Sequence, residues 1–156
     1  MDERIPPHSD DAERSVLGSV MQSKEALFDV LELLTPEDFY SEINKEIFSA
    51  VRELNKESSP VDALTVSEEL KKRKTLEMVG GRTYVASLTT MAPSTANASA
   101  YAKIIKENAI LRRLIAVSSD IVDKSYQKKT DAAHVLDYAE QGIFDIARLN
   151  QKKDFT

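Results

Sequence analysis

The amino-acid sequence predicts an all-α protein, in which a small helical-bundle head is followed by a long antiparallel helical hairpin. Apolar residues recur at spacings of three and four along most of the chain, and no segment sustains the period of two that is typical of strands. The few glycines and prolines fall mostly where helices would begin or end. A stretch without either residue, from 94 to about 127, is long enough for a helix of about 45 Å.

The head is predicted over residues 10–93, after a flexible polar leader at residues 1–9. Asp10 and Glu13 have the D-x-x-E spacing of a helix start, in which side chains bind the free N–H groups of the first turn. A similar signal, T-V-S-E, begins at Thr65 and predicts a further capped helix. We therefore expect the head to consist of several short helices.

The hairpin, predicted over residues 94–150, carries more apolar surface than its two helices can bury between them. Two adjacent seams on the long helix cover an arc of about 160°, whereas one antiparallel partner covers about 100°. The uncovered seam must face either the head or another chain. Because the hairpin should reach past the head, we expect a second copy of the chain, since isologous dimers are the commonest assemblies. The sequence does not distinguish which seam this is. The predicted interface comprises a first seam, Ile110, Leu114, Val117 and Ile121, a second seam, Leu111, Ile115 and Val122, and Leu136 and Ile143 of the last helix.

Composition indicates a soluble, cytoplasmic protein. The chain has no cysteine, which removes disulfides, zinc ribbons and thiol nucleophiles together. Its N-terminus lacks the apolar core of a secretory signal, and no stretch approaches the ~20 apolar residues of a membrane span. The net charge of −5 disfavours a dedicated nucleic-acid binder, whose affinity comes largely from neutralising phosphates.

No catalytic, cofactor-binding or metal site is predicted. The acidic pair Glu68 and Glu69 would not face each other on a helix. His8 and His134 are far apart in sequence and have no further ligands at suitable spacing. The glycine pair at 80–81 lacks the lysine and serine of a phosphate loop and is better suited to a helix end. The chain is thus expected to act by protein–protein association.

We expect the purified chain neither to bind nor to hydrolyse ATP, because it has no phosphate-loop sequence anywhere. Isothermal titration calorimetry with Mg-ATP checks this, and stoichiometric binding would contradict it.

Two groups of basic residues are candidate contacts to DNA or to a protein partner. The run near residue 72 either contacts phosphate or stabilises the negative end of its helix, and the acidity of the chain favours the second role. The arginine pair on the long helix is expected to bury its stems beside the hairpin seam, with an interface role as the alternative. The candidates are Lys71, Lys72, Arg73 and Lys74 in the run, with Arg112 and Arg113 on the long helix.

Several strings occur in a fixed order along the chain. Pro7-His8 is followed by AERSVLG (12–18), DFYSEINKEIF (38–48), PVDALTV (60–66), VGGRTYVASL (79–88), PSTANASAYAKIIKENAILRRLIAVSSDI (93–121) and AEQGIFDIA (139–147). Together they resemble the N-terminal domain of the bacterial replicative DNA helicase, the DnaB family, over nearly the whole chain. Asn44 departs from the family pattern, which often has histidine there, but it keeps a polar residue at this position.

The resemblance implies a collar domain. In such helicases the hairpins dimerise, the domains assemble as a trimer of dimers above a hexameric motor ring, and the collar receives the primase and, in some systems, the helicase loader. ATP, magnesium and DNA would be bound only by a motor domain, which is absent here. The chain ends at residues 151–156, about where the linker to that domain would begin. It therefore resembles a fragment of an ATP-dependent DNA helicase.

Two alternatives stay open at this point. One is the helicase-binding domain of a primase, which has a similar head and hairpin. The other is a free-standing helical DNA-binding regulator that uses the basic run at residues 71–74. A gel-shift assay at several salt concentrations separates a regulator from a collar domain.

Overall fold

A computed structural model of the chain describes residues 4–92 and 94–151, except for the side chain of Gln151. Regular structure within these ranges is entirely helical, which confirms the predicted all-α fold class. The α-helices of the described residues are α1 (Asp10–Val20), α2 (Lys24–Leu33), α3 (Glu42–Lys56), α4 (Ala63–Lys72), α5 (Leu76–Val79), α6 (Gly81–Met91), α7 (Ala98–Ser125) and α8 (Ala132–Gln151), with 3-10 turns at Pro36–Asp38 and Thr95–Asn97.

The chain divides into two compact units. One, the head unit, is His8–Glu107; the other, the hairpin unit, contains residues 4–7 together with the residues from Asn108 onward. The boundary between the units falls inside α7. Pro93, where the sequence predicts the head to end, lies outside the described residues. So do residues 1–3 of the predicted leader and residues 152–156 of the predicted linker.

Serine side chains cap three helices of the head unit. The hydroxyl oxygens of Ser9, Ser23 and Ser41 accept hydrogen bonds from backbone N–H groups at the starts of α1, α2 and α3, at 3.1–3.2 Å. Each bond satisfies a donor that has no partner inside the helix. The start predicted at Asp10 is therefore displaced by one residue, and Glu13 is not part of a capping box.

The capping box of α4 also lies earlier than the sequence predicted. The Asp62 carboxylate accepts a hydrogen bond from the Thr65 backbone N–H at 2.8 Å, and the Thr65 hydroxyl accepts one from the Asp62 backbone N–H at 2.9 Å. Thr65 is thus the third residue of the helix rather than its cap. The predicted box at Thr65–Glu68 is wrong because Asp62, three residues earlier, offers a charged acceptor in extended backbone.

The core of the head unit is built from one face of each helix. The first turns of α7 add small residues to it, so the long helix begins inside this unit. Removing each large apolar side chain from water contributes about 1.5–3 kcal/mol to the free energy of unfolding, so the core is large enough to stabilise the head unit. Its fully buried members include Val16 and Leu17 of α1, Ile47, Phe48 and Val51 of α3, Val66 and Leu70 of α4, Val85 and Leu88 of α6, and Ala102 of α7.

Helices α1 and α6 approach each other so closely that their backbones nearly touch. A Cβ atom on Gly18 would lie 2.1 Å from the backbone oxygen of Leu88. The Gln22 side-chain amide bridges the same crossing, because it donates to the backbone oxygens of Gly18 at 3.0 Å and Thr89 at 2.8 Å. Only glycine fits at position 18 with this helix spacing.

In the hairpin unit, α7 and α8 run antiparallel. A Cβ atom on Gly142 would lie 2.9 Å from Cγ1 of Val117. One turn further along α7, Asp120 accepts a hydrogen bond from the Tyr138 hydroxyl at 2.9 Å. The contacts thus advance along α7 while they move back along α8. The absence of a side chain at Gly142 lets the two helices pack closely at this point.

Candidate protein–protein interface

The structure distinguishes the two seams of α7, which the sequence could not. The second-seam residues Leu111, Ile115 and Val122 are 42%, 51% and 52% exposed. First-seam residues are half-buried, and two of them, Val117 and Ile121, lie beside residues of α8. Val117 and Ile121 of the first seam therefore hold the hairpin together, whereas Leu114 borders a surface depression with Ile115 and Val122 of the second seam. The second seam is the one that faces outward.

Two residues of α8 continue this exposed surface. Leu136 is 64% exposed and Ile143 is 43% exposed. On a helical wheel of α8, both residues lie about 100° from Gly142, which faces α7. On α7, the second seam is displaced from the first by a similar angle in the same rotational sense. Because the helices are antiparallel, equal rotations place both stripes on the same side of the hairpin. We call the combined surface the outer face; it contains Leu111, Ile115, Val122, Leu136 and Ile143.

A groove between the two helices supports this placement. It has a volume of about 410 Å³ and is lined by Ile121 and Ser125 of α7 together with Leu136 and Ala139 of α8. Leu136 thus lies beside α7 residues that border the second seam. The outer face is therefore one apolar surface that crosses from helix to helix.

The sequence missed the face of α8 that packs against α7. The strongest apolar stripe of α8 contains Leu136 and Ile143, but these residues point outward. The residues on the α7 side are instead half-buried Val135, tightly packed Gly142 and buried Ile146. Glycine carries no hydrophobic signal, so the pattern alone did not show which face of α8 packs against α7, and the interface predicted at Leu136 and Ile143 stays a prediction.

Arg73, part of the predicted basic run, forms ion pairs and hydrogen bonds inside the head unit. Its Nε donates to a carboxylate oxygen of Glu69 at 3.0 Å, and its Nη1 donates to Glu46 at 3.3 Å and to the hydroxyl of Ser49 at 3.1 Å. Burial lowers the pKa of Arg73, but the two carboxylates outweigh that effect and raise it. The guanidinium thus stays charged in its structural role, and the exposed part of the predicted run is reduced to three residues: Lys71, Lys72 and Lys74.

Replacing Arg73 by alanine is expected to destabilise the head by about 1–3 kcal/mol, because it leaves two partly buried carboxylates without this donor. Lys72→Ala, which removes an exposed charge one position away, should change the free energy of unfolding by less than about 0.5 kcal/mol. Urea denaturation followed by circular dichroism measures both. Equal effects of the two substitutions would show that Arg73 is an ordinary surface residue.

Both arginines of the long helix lie among other residues of the hairpin unit. Arg112 donates from Nη1 to the backbone oxygen of Pro7 at 2.7 Å. Arg113 is half-buried and lines a depression with Val117, Gly142 and Ile146, on the side of the hairpin away from the outer face. The Arg113 stem therefore lies beside the seam between the helices, as its apolar surroundings in sequence indicate.

A buried carboxylate joins several segments of the head unit. Glu13 is 1% exposed and accepts hydrogen bonds from the backbone N–H groups of Tyr40 at 2.7 Å and Ser41 at 3.3 Å, and from the Asn44 amide at 3.0 Å. Tyr84 donates its hydroxyl to the other end of that amide at 3.1 Å. Burial raises the pKa of Tyr84, which keeps this hydroxyl able to donate. These contacts give Glu13 a structural role that the sequence did not reveal.

A second buried carboxylate pairs with a lysine of the long helix. Asp38 is fully buried, and Lys106 of α7, 8% exposed, donates to both of its carboxylate oxygens at 3.1 and 3.3 Å. The Thr35 backbone N–H donates to the same carboxylate at 2.9 Å. The ion pair therefore fixes the beginning of α7 in the head unit. Within residues 4–92 and 94–151, no cluster of three or more acidic or histidine side chains has the arrangement of a metal site.

None of the described helices is long and apolar enough to cross a membrane. The outer face is a contiguous exposed apolar patch, and patches of this kind usually mark an interaction site. Fold and surface together define an all-α protein-interaction module.

The family of this module follows from its sequence. The family model for the DnaB-like helicase N terminal domain matches residues 5–107, so the chain belongs to that family. It is 38% identical over 146 residues to the replicative DNA helicase DnaB of Geobacillus stearothermophilus, and 40% identical over 144 residues to that of Haemophilus influenzae. These alignments cover 94% and 92% of the chain but 32% and 31% of the relatives. The chain thus spans about a third of their length.

Solved structures support the same assignment. The N-terminal domain of DnaB helicase from Mycobacterium tuberculosis matches with a TM-score of 0.84 at 40% identity, over 90% of this chain and 99% of that one. The corresponding domain from Helicobacter pylori, described together with its interactions with primase, matches with a TM-score of 0.65 at 26% identity, over 75% and 91%. The resemblance seen in the sequence is therefore confirmed.

Proposed function

We propose that the chain is the collar domain of a hexameric replicative DNA helicase. It pairs with a second copy through the outer face of its hairpin, and three such pairs form the collar. Primase and the helicase loader dock on this collar in the cytoplasm. ATP, magnesium and DNA are bound by a motor domain of the whole helicase and not by this chain. The observation that carries the proposal is the exposed apolar outer face, in a member of this family.

The outer face is large enough to support pairing. Each copy contributes five large apolar side chains, so a symmetric contact covers ten. Full burial of a large apolar side chain is worth about 1.5–3 kcal/mol, but these side chains are already 36–58% buried in the single chain, so burying the rest contributes on the order of 7–15 kcal/mol. Association costs on the order of 4–15 kcal/mol in lost rigid-body freedom, so the gain offsets this cost. The contact requires no specific polar interactions, because it is stabilised by the removal of apolar surface from water.

Pairing gives the collar a mechanical role. Two joined hairpins hold two motor domains together and restrict the conformations that the ring adopts. A protein that binds the collar better in one ring conformation than in another shifts the ring toward the first. Primase docking is supported by the Helicobacter pylori relative, which was described with its primase interactions. The loader is proposed from the family resemblance alone.

A DNA-binding regulator is the weaker candidate. Its proposed contact was the basic run of α4, and one member of that run, Arg73, already binds Glu46 and Glu69. The chain also has a net charge of −5. Because nonspecific DNA affinity depends on the number of phosphates neutralised, we expect only weak binding that disappears at physiological salt.

Sedimentation equilibrium and calorimetry test the collar proposal together. We expect the chain to be a dimer or a larger even-numbered assembly at micromolar concentration, and to bind the helicase-binding domain of its own organism's primase. A gel-shift assay with duplex DNA tests the alternative, a DNA-binding regulator. A monomer at about 100 µM that fails to bind primase, or nanomolar DNA binding at physiological salt, would overturn the proposal.

A further inference from the structure

A second candidate docking surface lies in the head unit, between α2 and the loop that follows α3. It is a groove of about 790 Å³. Val20, Met21 and Leu27 form its floor and are 1%, 4% and 8% exposed. Half-buried Leu31 and Val61 form its sides and pack against the core. The floor is therefore part of the core, reached from solvent through an open groove.

An exposed aromatic residue stands at the edge of this groove. Phe28 of α2 is 66% exposed, although it directly follows buried Leu27 in the sequence. Aromatic side chains, phenylalanine included, are enriched in the buried cores of protein interfaces, where aromatic anchors that fill pockets carry much of the affinity. Phe28 contributes little to the core, so its large exposed ring is not explained by folding.

The opposite wall of the groove is a tight, hydrogen-bonded turn. Ser58 has a positive φ of 60° and its N–H donates to the Asn55 oxygen at 3.0 Å, while the Ser59 N–H donates to the Leu54 oxygen at 2.9 Å. The wall is thus fixed before any ligand arrives. A preformed groove binds with a smaller loss of conformational entropy than a surface that must order itself.

The surroundings of the groove are acidic. Glu32 and Asp62 line it, and Lys24 is the one basic residue among its lining side chains. Of the exposed charged residues next to the lining residues in sequence, Glu25 and Glu57 are acidic and Lys56 is basic. Residues 1–62 have a net charge more negative than the −5 of the whole chain, because residues 63–156 contain more basic than acidic residues. The groove thus combines an apolar floor with an anionic rim.

We propose that this groove binds a basic amphipathic helix of a partner protein. The ten residues of α2 span about 15 Å, which matches about three turns of a docked helix. Apolar residues of that helix at positions i, i+3 or i+4, and i+7 fill the groove, and lysine or arginine residues on its flanks face the acidic rim. The same rim repels nucleic acid and anionic lipid headgroups, so neither is the occupant. This inference does not depend on hairpin pairing.

A designed peptide tests the groove directly. The probe is a fluorescein-labelled amphipathic helix of 14 residues, with three leucines on one face and lysines on both flanks, titrated with the full chain at about 50 mM salt, where exposed charges are weakly screened. We expect micromolar binding, measured by fluorescence anisotropy. Phe28→Ala and Glu32→Lys should each weaken it about tenfold. A peptide in which glutamate replaces the lysines should bind at least tenfold more weakly.

Matched substitutions outside the groove serve as controls. Met78 is 54% exposed and Glu77 is exposed, and neither lines the groove. Met78→Ala and Glu77→Lys should therefore leave the peptide affinity within about twofold of the parent chain, because such surface changes act locally. All four residues are exposed, so the variants should fold, and circular dichroism verifies this. Equal binding by groove and control variants, or equal binding of the acidic peptide, would overturn the proposal.

Two further outcomes separate this site from others. If Phe28→Ala lowers the sedimentation mass of the chain, then a second copy occupies the groove and the partner-helix proposal is wrong. Ile115→Glu, which alters the outer face, should leave peptide binding unchanged. Retained peptide binding in an Ile115→Glu monomer supports the groove as an independent site. Loss of peptide binding in that variant would show that the outer face is the surface that captures the probe.

Discussion

Replacing Ile115 by glutamate is expected to convert the paired chain into a monomer that keeps full helicity. Ile115 lies near the middle of the outer face and is 51% exposed in the single chain, so the charge is solvated there. In the pair the same carboxylate would be buried in an apolar contact, which costs several kcal/mol. The association constant should fall at least about a hundredfold, or about 2.7 kcal/mol. Sedimentation equilibrium gives the mass and circular dichroism gives the helicity.

Two other substitutions on α7 show whether the effect depends on the outer face. Ala116→Glu introduces the same charge at an exposed position on another side of the helix and should leave the pair intact. Val117→Glu places a charge where Val117 packs against Gly142, and should reduce helicity by opening the hairpin. If Ile115→Glu remains paired with full helicity, the outer face is not the interface. If Ala116→Glu also separates the copies, the contact is not confined to that face.

Replacing Gly18 by alanine should destabilise the head by more than about 3 kcal/mol, or prevent it from folding. The added Cβ would lie 2.1 Å from the Leu88 backbone oxygen, and a backbone atom cannot move aside as a side chain can. Helices α1 and α6 would have to separate along their whole crossing. The Gln22 bridge between them would also be lost. Urea denaturation followed by circular dichroism measures the change.

Gly142→Ala is the matched comparison, because it adds the same atom to another helical glycine. Its Cβ would meet the side chain of Val117 at 2.9 Å rather than a backbone atom. A small shift of the hairpin relieves that contact, and alanine favours helix by about 1 kcal/mol over glycine. The net change in the free energy of unfolding should be smaller than about 1 kcal/mol. Equal losses for the two variants would show that the α1–α6 crossing is no tighter than the hairpin.

The fold class was accessible from sequence because helical periodicity and helix-start signals are local. The long helix was predicted from 94 to about 127, and α7 occupies Ala98–Ser125. Arc width on a helical wheel also showed that α7 has more apolar surface than one partner covers. These arguments need only the positions of apolar side chains along a helix of known pitch.

What failed depends on contacts between distant segments. Glu13 fits a helix-start pattern, yet it lies in the interior because Tyr40, Ser41 and Asn44 provide donors for it. Arg73 belongs to a basic run in sequence but binds Glu46 across the head unit. Such partners come together only in the folded chain, so a single sequence does not distinguish a buried charge from an exposed one.

The Glu13 network has a consequence for how the head responds to acid. Asn44 donates to Glu13 and accepts from Tyr84, and a neutral imidazole has the same pair of functions on its two nitrogens. A histidine at this position would gain a proton between pH 5 and 8 and lose its acceptor. An amide takes up no proton in that range. The Asn44 amide therefore links α3 and α6 without adding a group that titrates in this range, as an imidazole at the same position would.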